Sequence, residues 1–418
     1  MIKPTFKSEK TSKKTILALI VGAFLLFALL EIGLVIFEHY SKSAPDKSNF
    51  FFKDDMAVFG ERGKNGNTKY GIVHKKGNIV VKANYEAALP LGEDRIGVRL
   101  TNGNKRKYAI LSAESKKITD FEFDEIRRYS GKVIAAKKNG KWGYLDTEGK
   151  ITIDYRFENV HSFSEGVASV EENGKWFFID KKGNKISKMT FEEAGNLKKG
   201  LARVKKDGKW GYIDVNFNWL TKPCYDDARD FADGLAAVCK NGKWGFVDTK
   251  FKEVIEPRYK IAKDFKNGLA PVANDKGQFG YINSEGTVVI PFNENIWDAN
   301  HFSTSNRAAV CNSSGMWNYI NSEGTYEDKP EYLWAGKFHG SIAPVQYAHN
   351  RKYTFINIDM QPILEGYYPY ISDFCEDGYC LIKNDSGRWF VINKKGIPLF
   401  ENEYDELISG NDMKWFAR

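Results

Sequence analysis

The stretch Asp207-Gly208-Lys209-Trp210-Gly211-Tyr212 returns with little change as Asn139-Gly140-Lys141-Trp142-Gly143-Tyr144, Asn173-Gly174-Lys175-Trp176-Phe177-Phe178 and Asn241-Gly242-Lys243-Trp244-Gly245-Phe246. Each Trp lies 34 residues after the last. A period of this length marks one folding unit copied in tandem, each unit covering its neighbour's apolar face. With the aromatic of the Lys-Trp pair as register, further copies fall at Tyr70 and Tyr108 upstream and at Phe279, Trp317, Tyr353 and Trp389 downstream. Ten copies at intervals of 34 to 38 residues thus fill residues 50–418. Terminal units are expected to depart from the pattern, and Lys414-Trp415-Phe416 reads as a cap.

Asn-Gly or Asp-Gly between alternating apolar runs predicts a hairpin, because a type I′ turn needs positive φ at both central residues. A turn at Asp207-Gly208 pairs Lys206 with Lys209, Lys205 with Trp210, Val204 with Gly211, Arg203 with Tyr212 and Ala202 with Ile213. Alternation then puts Ala202, Val204, Gly211 and Ile213 on a small-residue face, where a larger side chain at position 211 would press on Val204. The other face holds Trp210 and Tyr212 opposite Lys205 and Arg203. This Trp and Tyr series reads first as packing between units; if accessible, Tyr144, Arg203, Tyr212 and Phe246 form a binding face, with Arg203 over Tyr212 as a cation–π pair.

After the second strand stands Asp146, Asp180, Asp214 or Asp248, then Asn283, Asn321, Asn357 and Asn393. These residues start turns by bonding their own backbone. A calcium-binding ladder is the weaker reading, since Asn in the last four copies removes charge that a cation requires. A short third strand follows, as at Lys150-Ile151-Thr152-Ile153, then an aromatic (Tyr155, Phe191, Tyr225, Tyr259), then a Phe ahead of a Gly (Phe163 and Gly166, Phe231 and Gly234, Phe265 and Gly268). The predicted fold is all-β, an open superhelical, solenoid-like array, because ten short units depart from the four to eight blades of about 40 residues usual in a propeller. A closed β-propeller is the alternative, favoured if the segment after each Tyr pairs as a fourth strand.

The phrase Asn-Gly-Lys-Trp-Gly-Tyr-Ile-Asp, preceded by Phe-x-x-Gly-Leu-Ala-x-Val (Phe231 to Val238, Phe265 to Val272), resembles the bacterial WG repeat, also called the KWG repeat. Its motif residues here are Trp142, Gly143, Trp176, Trp210, Gly211, Trp244, Gly245, Trp317 and Trp389, with Asn318, Thr354 and Phe390 standing where the motif has Gly. The resemblance implies a binding or scaffold module and supplies no catalytic residues.

Ahead of the array, residues 1–14 carry five Lys and one Glu, and residues 15–37 are apolar except for Glu31. At 1.5 Å per residue that segment spans a hydrocarbon layer of roughly 30 Å. The expectation is a basic cytoplasmic tail (1–14), an uncleaved transmembrane signal-anchor helix (15–37), a linker (38–49) and a repeat domain outside the cytoplasm. A cleaved signal peptide is the rival, but its apolar stretch is usually about 7 to 15 residues. The formal charge of +8 is dispersed over many Lys, Asp and Glu, which argues against nucleic acid. Five cysteines make no disulfide framework, though Cys375 and Cys380 are close enough to pair. The six histidines show no ligand spacing, and no nucleophile, Walker or dinucleotide motif stands out. The sequence therefore predicts no catalytic residues, metal or cofactor. It predicts a membrane-anchored scaffold for an envelope or secreted protein, with binding of carbohydrate or cell wall through exposed Trp and Tyr as the alternative.

Overall fold

The computed structural model describes residues 55–408, apart from 103, 328–331, 364–365, 376–377, 394 and 400–402. The expected tail, membrane span, linker and C-terminal cap lie outside the described residues. Within them every regular element is a β-strand, and ten antiparallel hairpins run from Met56–Arg62 with Thr68–His74 to Tyr379–Lys383 with Trp389–Asn393. We number the units 1 to 10 by these hairpins.

The turns have the dihedrals that their residues require: φ is +53° and +79° at Asn139 and Gly140, and +53° and +73° at Asp207 and Gly208. That geometry fixes register, and Ala202 faces Ile213, Val204 faces Gly211 and Lys205 faces Trp210, as the sequence predicts. Asp146 Oδ1 accepts the amides of Glu148 (3.0 Å) and Lys150 (2.8 Å), and Asn283 Oδ1 those of Glu285 and Thr287. The post-strand Asp and Asn residues are thus turn formers, and Asn serves as well as Asp because only the side-chain oxygen is used.

The glycine of the motif acts on the third strand, not on Val204. A Cβ on Gly211 would lie 2.7 Å from Thr221 O and 2.9 Å from the Trp219 ring; on Gly245 it would lie 2.3 Å from Ile255 O. Between Trp210 and Tyr212, the partner strand Trp219–Tyr225 advances from Tyr225 to Thr221, so its extra residues arch over the glycine. Gly71, Gly143, Gly211, Gly245 and Gly280 all stand beneath a paired third strand. Where the position is Ala109, Phe177, Asn318, Thr354 or Phe390, that strand is reduced to single contacts, such as Trp176 with Phe191 and Ile179 with Lys185.

The segment after each third-strand aromatic pairs with the following hairpin as a short strand, of two residues in most units, as Asp227–Ala228 does with Cys239 and Val238, and of six at Ala87–Gly92. The described strands form nine sheets, one of them six-stranded and carrying units 8 and 9. The open array is corrected here: the chain forms a closed β-propeller. Glu406–Ile408 pairs with the first strand at Gly60, Phe59 and Val58, supplying unit 1 with its short strand. A core of Ala57, Phe59 and Val73 with Leu381, Val391, Tyr404 and Leu407 seals unit 10 to unit 1. Short units suffice because each sheet borrows its first strand from the segment that leaves the preceding unit. Edge strands left open at both ends of a stack are removed by closure.

Candidate functional site

Both faces of a hairpin are buried, against different neighbours. Ala202, Val204 and Ile213 pack with Phe178, Phe191, Ala194 and Leu197 toward unit 4. Trp210 and Tyr212 pack with Tyr225, Ala228, Ala236, Val238 and Val247 toward unit 6. The motif tyrosine also joins units by its hydroxyl: Tyr144 donates to His161 O (2.9 Å), Tyr212 to Arg229 O (2.6 Å), Tyr281 to Asn300 O (2.7 Å) and Tyr319 to Gly336 O (2.6 Å). Its ring meets the Phe of the next unit, Tyr144 with Phe163 at 5.0 Å and Phe246 with Phe265 at 4.7 Å.

Tyr144, Tyr212 and Phe246 are each 1% exposed, so the expected binding face is corrected: these rings are an inter-unit layer that no ligand reaches. Trp142 and Trp210 are buried, whereas Trp176, Trp244, Trp317 and Trp389 are half-buried. Arg203 lies over Trp210, 4.9 Å from the ring centroid, rather than over Tyr212, because its guanidinium is drawn to Ala228 O (2.7 Å) and Asp230 (3.2 Å) of the next unit. The same spot above the motif aromatic holds Arg127 over Trp142 (4.2 Å), His161 on Trp176 (4.8 Å), Arg229 over Trp244 (4.8 Å) and Lys263 over Phe279 (5.6 Å). In unit 5 the corresponding residue is Gly195, and Arg203 fills the space from the adjacent strand, its Cγ 3.2 Å from where a Cβ would be. These basic groups brace one unit against the next.

The Lys of the motif has a similar role. Lys141 pairs with Glu158 at 2.7 Å, and Glu158 also accepts the turn amide of Gly174 at 3.1 Å, so one carboxylate ties two consecutive hairpins. Those hydrogen bonds hold its pKa below the usual carboxylate range. Asp405 repeats the device at the closure, accepting the Arg62 amide (2.7 Å) and pairing with Arg388. The Arg62 amide, with Arg388, lowers its pKa too.

His161 and Ser169 are the nearest approach to a catalytic pair, with Nδ1 2.8 Å from Oγ. Ser169 is completely buried, however, out of reach of a substrate. Burial, with Arg127 and Arg203 nearby, lowers the His161 pKa to about 4, so the imidazole is neutral near pH 7. No group of three His, Cys, Asp or Glu positioned to hold a metal occurs among the described residues. Cys375 and Cys380 are both buried.

Sequence reasoning passed over a second set of turns. Lys132, Glu165, Lys199, Asp233, Asn267 and Asn306 are exposed and have φ between +47° and +75°, in six consecutive units. They lie at the opposite end of the first hairpin strand from the Asn-Gly turns, as positions 132 and 139 do on either side of Ile134–Lys138. In units 3 to 7 two consecutive residues have positive φ, in unit 8 only Asn306 does, and side-chain charge changes from unit to unit. The available signal was the Gly at 166, 200, 234 and 268, again 34 residues apart.

Fold and packing define a β-propeller built of tandem repeats whose motif residues join unit to unit. The chain belongs to the WG containing repeat family, whose pattern matches residues 70–104, 114–142, 142–176, 176–210, 210–244, 244–276, 279–314 and 353–388, more than half of it. Among solved structures it is similar to a eukaryotic initiation factor, at 13% identity over 84% of this chain and 97% of that one, with a TM-score of 0.45. It is also similar to BamB from Moraxella catarrhalis (13% identity, 65% of this chain, 97% of that one, TM-score 0.38) and to Hsv2p of Kluyveromyces lactis (11%, 55%, 90%, TM-score 0.34). Likeness at this level says nothing of what this chain binds. No curated protein matches it.

Proposed function

We propose that this protein is a non-catalytic interaction scaffold, held in the bacterial cytoplasmic membrane by residues 15–37 with its propeller outside, that binds an envelope or secreted protein. The observation that carries this reading is the set of second turns: two consecutive residues of positive φ repeated in units 3 to 7, with exposed side chains that differ in charge. Such a surface presents a fixed spacing with variable chemistry, the arrangement that repeat scaffolds use for recognition. The motif residues are occupied in holding units together, as are Glu165, Asp233 and Asn267 through their bonds to Gly200 N, Gly268 N and Phe302 O, so Lys132 and Lys199 are the turn side chains offered to a partner. Burial of Tyr144, Tyr212 and Phe246 removes support for glycan binding through the motif rings.

The test uses the immobilised full chain and a variant with Lys132→Asn and Lys199→Asn, since Asn tolerates positive φ. Envelope and cytoplasmic fractions of the source cells are passed over both. The reading expects saturable retention of one envelope or secreted protein, competed by free chain and weakened in the variant at unchanged Tm. Retention equal in both proteins, or none, contradicts it.

A further inference from the structure

The junction between units 7 and 8 departs from the others. Amides of Asp124, Glu158, Glu192, Asp226 and Lys260 donate to the carbonyls of Lys137, Glu171, Lys205, Cys239 and Ala273, and the equivalent amide donating to Cys311 belongs to Trp297. An indole therefore stands where these five junctions have a charged side chain. It is 48% exposed, the only described Trp in that state. The ring is nevertheless fixed: Nε1 donates to Glu294 O at 2.9 Å, and it lies above Gly277, 3.7 Å from where a Cβ would be.

A shallow cleft of about 490 Å³ is lined by Lys276, Gln278, Phe292, Asn293, Glu294 and Glu323 among others, and Trp297 stands outside this lining, joined to its rim by the bond to Glu294 O and by its place over Gly277. That volume lies in the range of small-molecule sites, roughly 300 to 1,000 Å³. The motif Lys of unit 7's predecessor, Lys243, is committed to Asp275, while Lys276, Glu294 and Glu323 form no ion pair among the described residues. Gln278 Oε1 accepts from Asn274 Nδ2 at 2.9 Å, which leaves its Nε2 as a donor for the cleft.

From this we infer a saccharide site at the junction of units 7 and 8, distinct from the turns assigned to the protein partner. The apolar C–H face of a sugar ring stacks on Trp297, and its hydroxyls, each donor and acceptor, meet the carboxylates of Glu294 and Glu323, the amides of Gln278 and Asn293 and the ammonium of Lys276. An anion is disfavoured by two uncompensated carboxylates. A peptide adding as a strand is disfavoured by the three-residue edge ending at Pro291, which has no amide to donate.

The test is saturation-transfer NMR on the full chain in a detergent without a sugar headgroup, with cellotetraose and the N-acetylglucosamine tetrasaccharide as probes. Saturable binding of at least one is expected, weakened tenfold or more in Trp297→Ala and several-fold in Glu323→Gln, with Tm unchanged in both because these side chains are exposed. No saturable binding of either probe, or equal binding by Trp297→Ala, overturns the inference. Loss of the protein partner from the Lys132→Asn, Lys199→Asn variant with sugar binding intact would show the two sites to be separate.

Discussion

Gly245→Ala gives the motif glycine a quantitative role. The new Cβ would lie 2.3 Å from Ile255 O, 2.6 Å from Pro257 N and 2.7 Å from Glu256 C, all backbone atoms that cannot swing aside. To reach an ordinary contact the third strand Glu253–Tyr259 must retreat by about 1 Å, at an overpacking cost of roughly 1 to 3 kcal/mol. That retreat weakens pairing at Trp244 with Tyr259 and Phe246 with Ile255; with about 1 kcal/mol for each ladder hydrogen bond lost, the total is about 2 to 4 kcal/mol. Gly242→Ala is the control: φ is +72° and nothing lies within 4 Å, so only left-handed strain of about 1 to 2 kcal/mol applies. Urea unfolding of the full chain in micelles compares the two, and hydrogen exchange over residues 253–259 locates the damage. The reasoning fails if Gly245→Ala costs no more than Gly242→Ala and exchange over 253–259 is unchanged.

Other expectations follow from the junctions. Tyr212→Phe leaves Arg229 O without its partner and should cost about 1 to 3 kcal/mol in urea unfolding, against about 3 to 5 for Tyr212→Ala, which also empties the inter-unit core. Leu407→Ala, at a 3% exposed position in the closing core, should cost about 2 to 5 kcal/mol and make unit 1 susceptible to protease before units 4 to 6. His161 is neutral in the fold with a pKa near 4 against 6.5 unfolded, so the unfolded chain binds more protons between these values. Stability should therefore fall by about 3 kcal/mol as pH drops from about 6.5 to 4, a slope that Tm measurements should find reduced in His161→Phe. Glu158 and Asp405 have the same sign of linkage in a lower window: their lowered pKa values give stability present above about pH 4 and lost as pH falls further, a loss that Asp405→Asn should diminish.

The hairpins were legible because Asn-Gly and Asp-Gly fix turn and register locally, and alternation then sorts every side chain. The faces were legible too, but not their partners. Nothing local to Trp210 and Tyr212 tells whether the layer above is solvent or the next unit; Tyr225 and Ala228 decide that, and their position depends on how the third strand bulges. Arg203 was misassigned for the same reason, since Ala228 O and Asp230 draw it across to Trp210. Closure was hidden because Glu406–Ile408 bears no motif and acts only by meeting a strand some 350 residues earlier. Trp297 could have been found as the break in the charged series Asp124, Glu158, Glu192, Asp226, Lys260, had that series been aligned on backbone pairing rather than on the Trp.

The claim most exposed to test is that the repeats close on themselves. Spin labels at Glu61→Cys and Glu403→Cys, both exposed, in a chain with its native cysteines replaced, would measure it by pulsed electron resonance. Closure places Glu403 three residues before the strand that pairs with Met56–Arg62 and predicts a distance of about 20 Å or less including the linkers. An open stack of ten units at about 10 Å each would separate them by on the order of 90 Å, and that result would contradict the account.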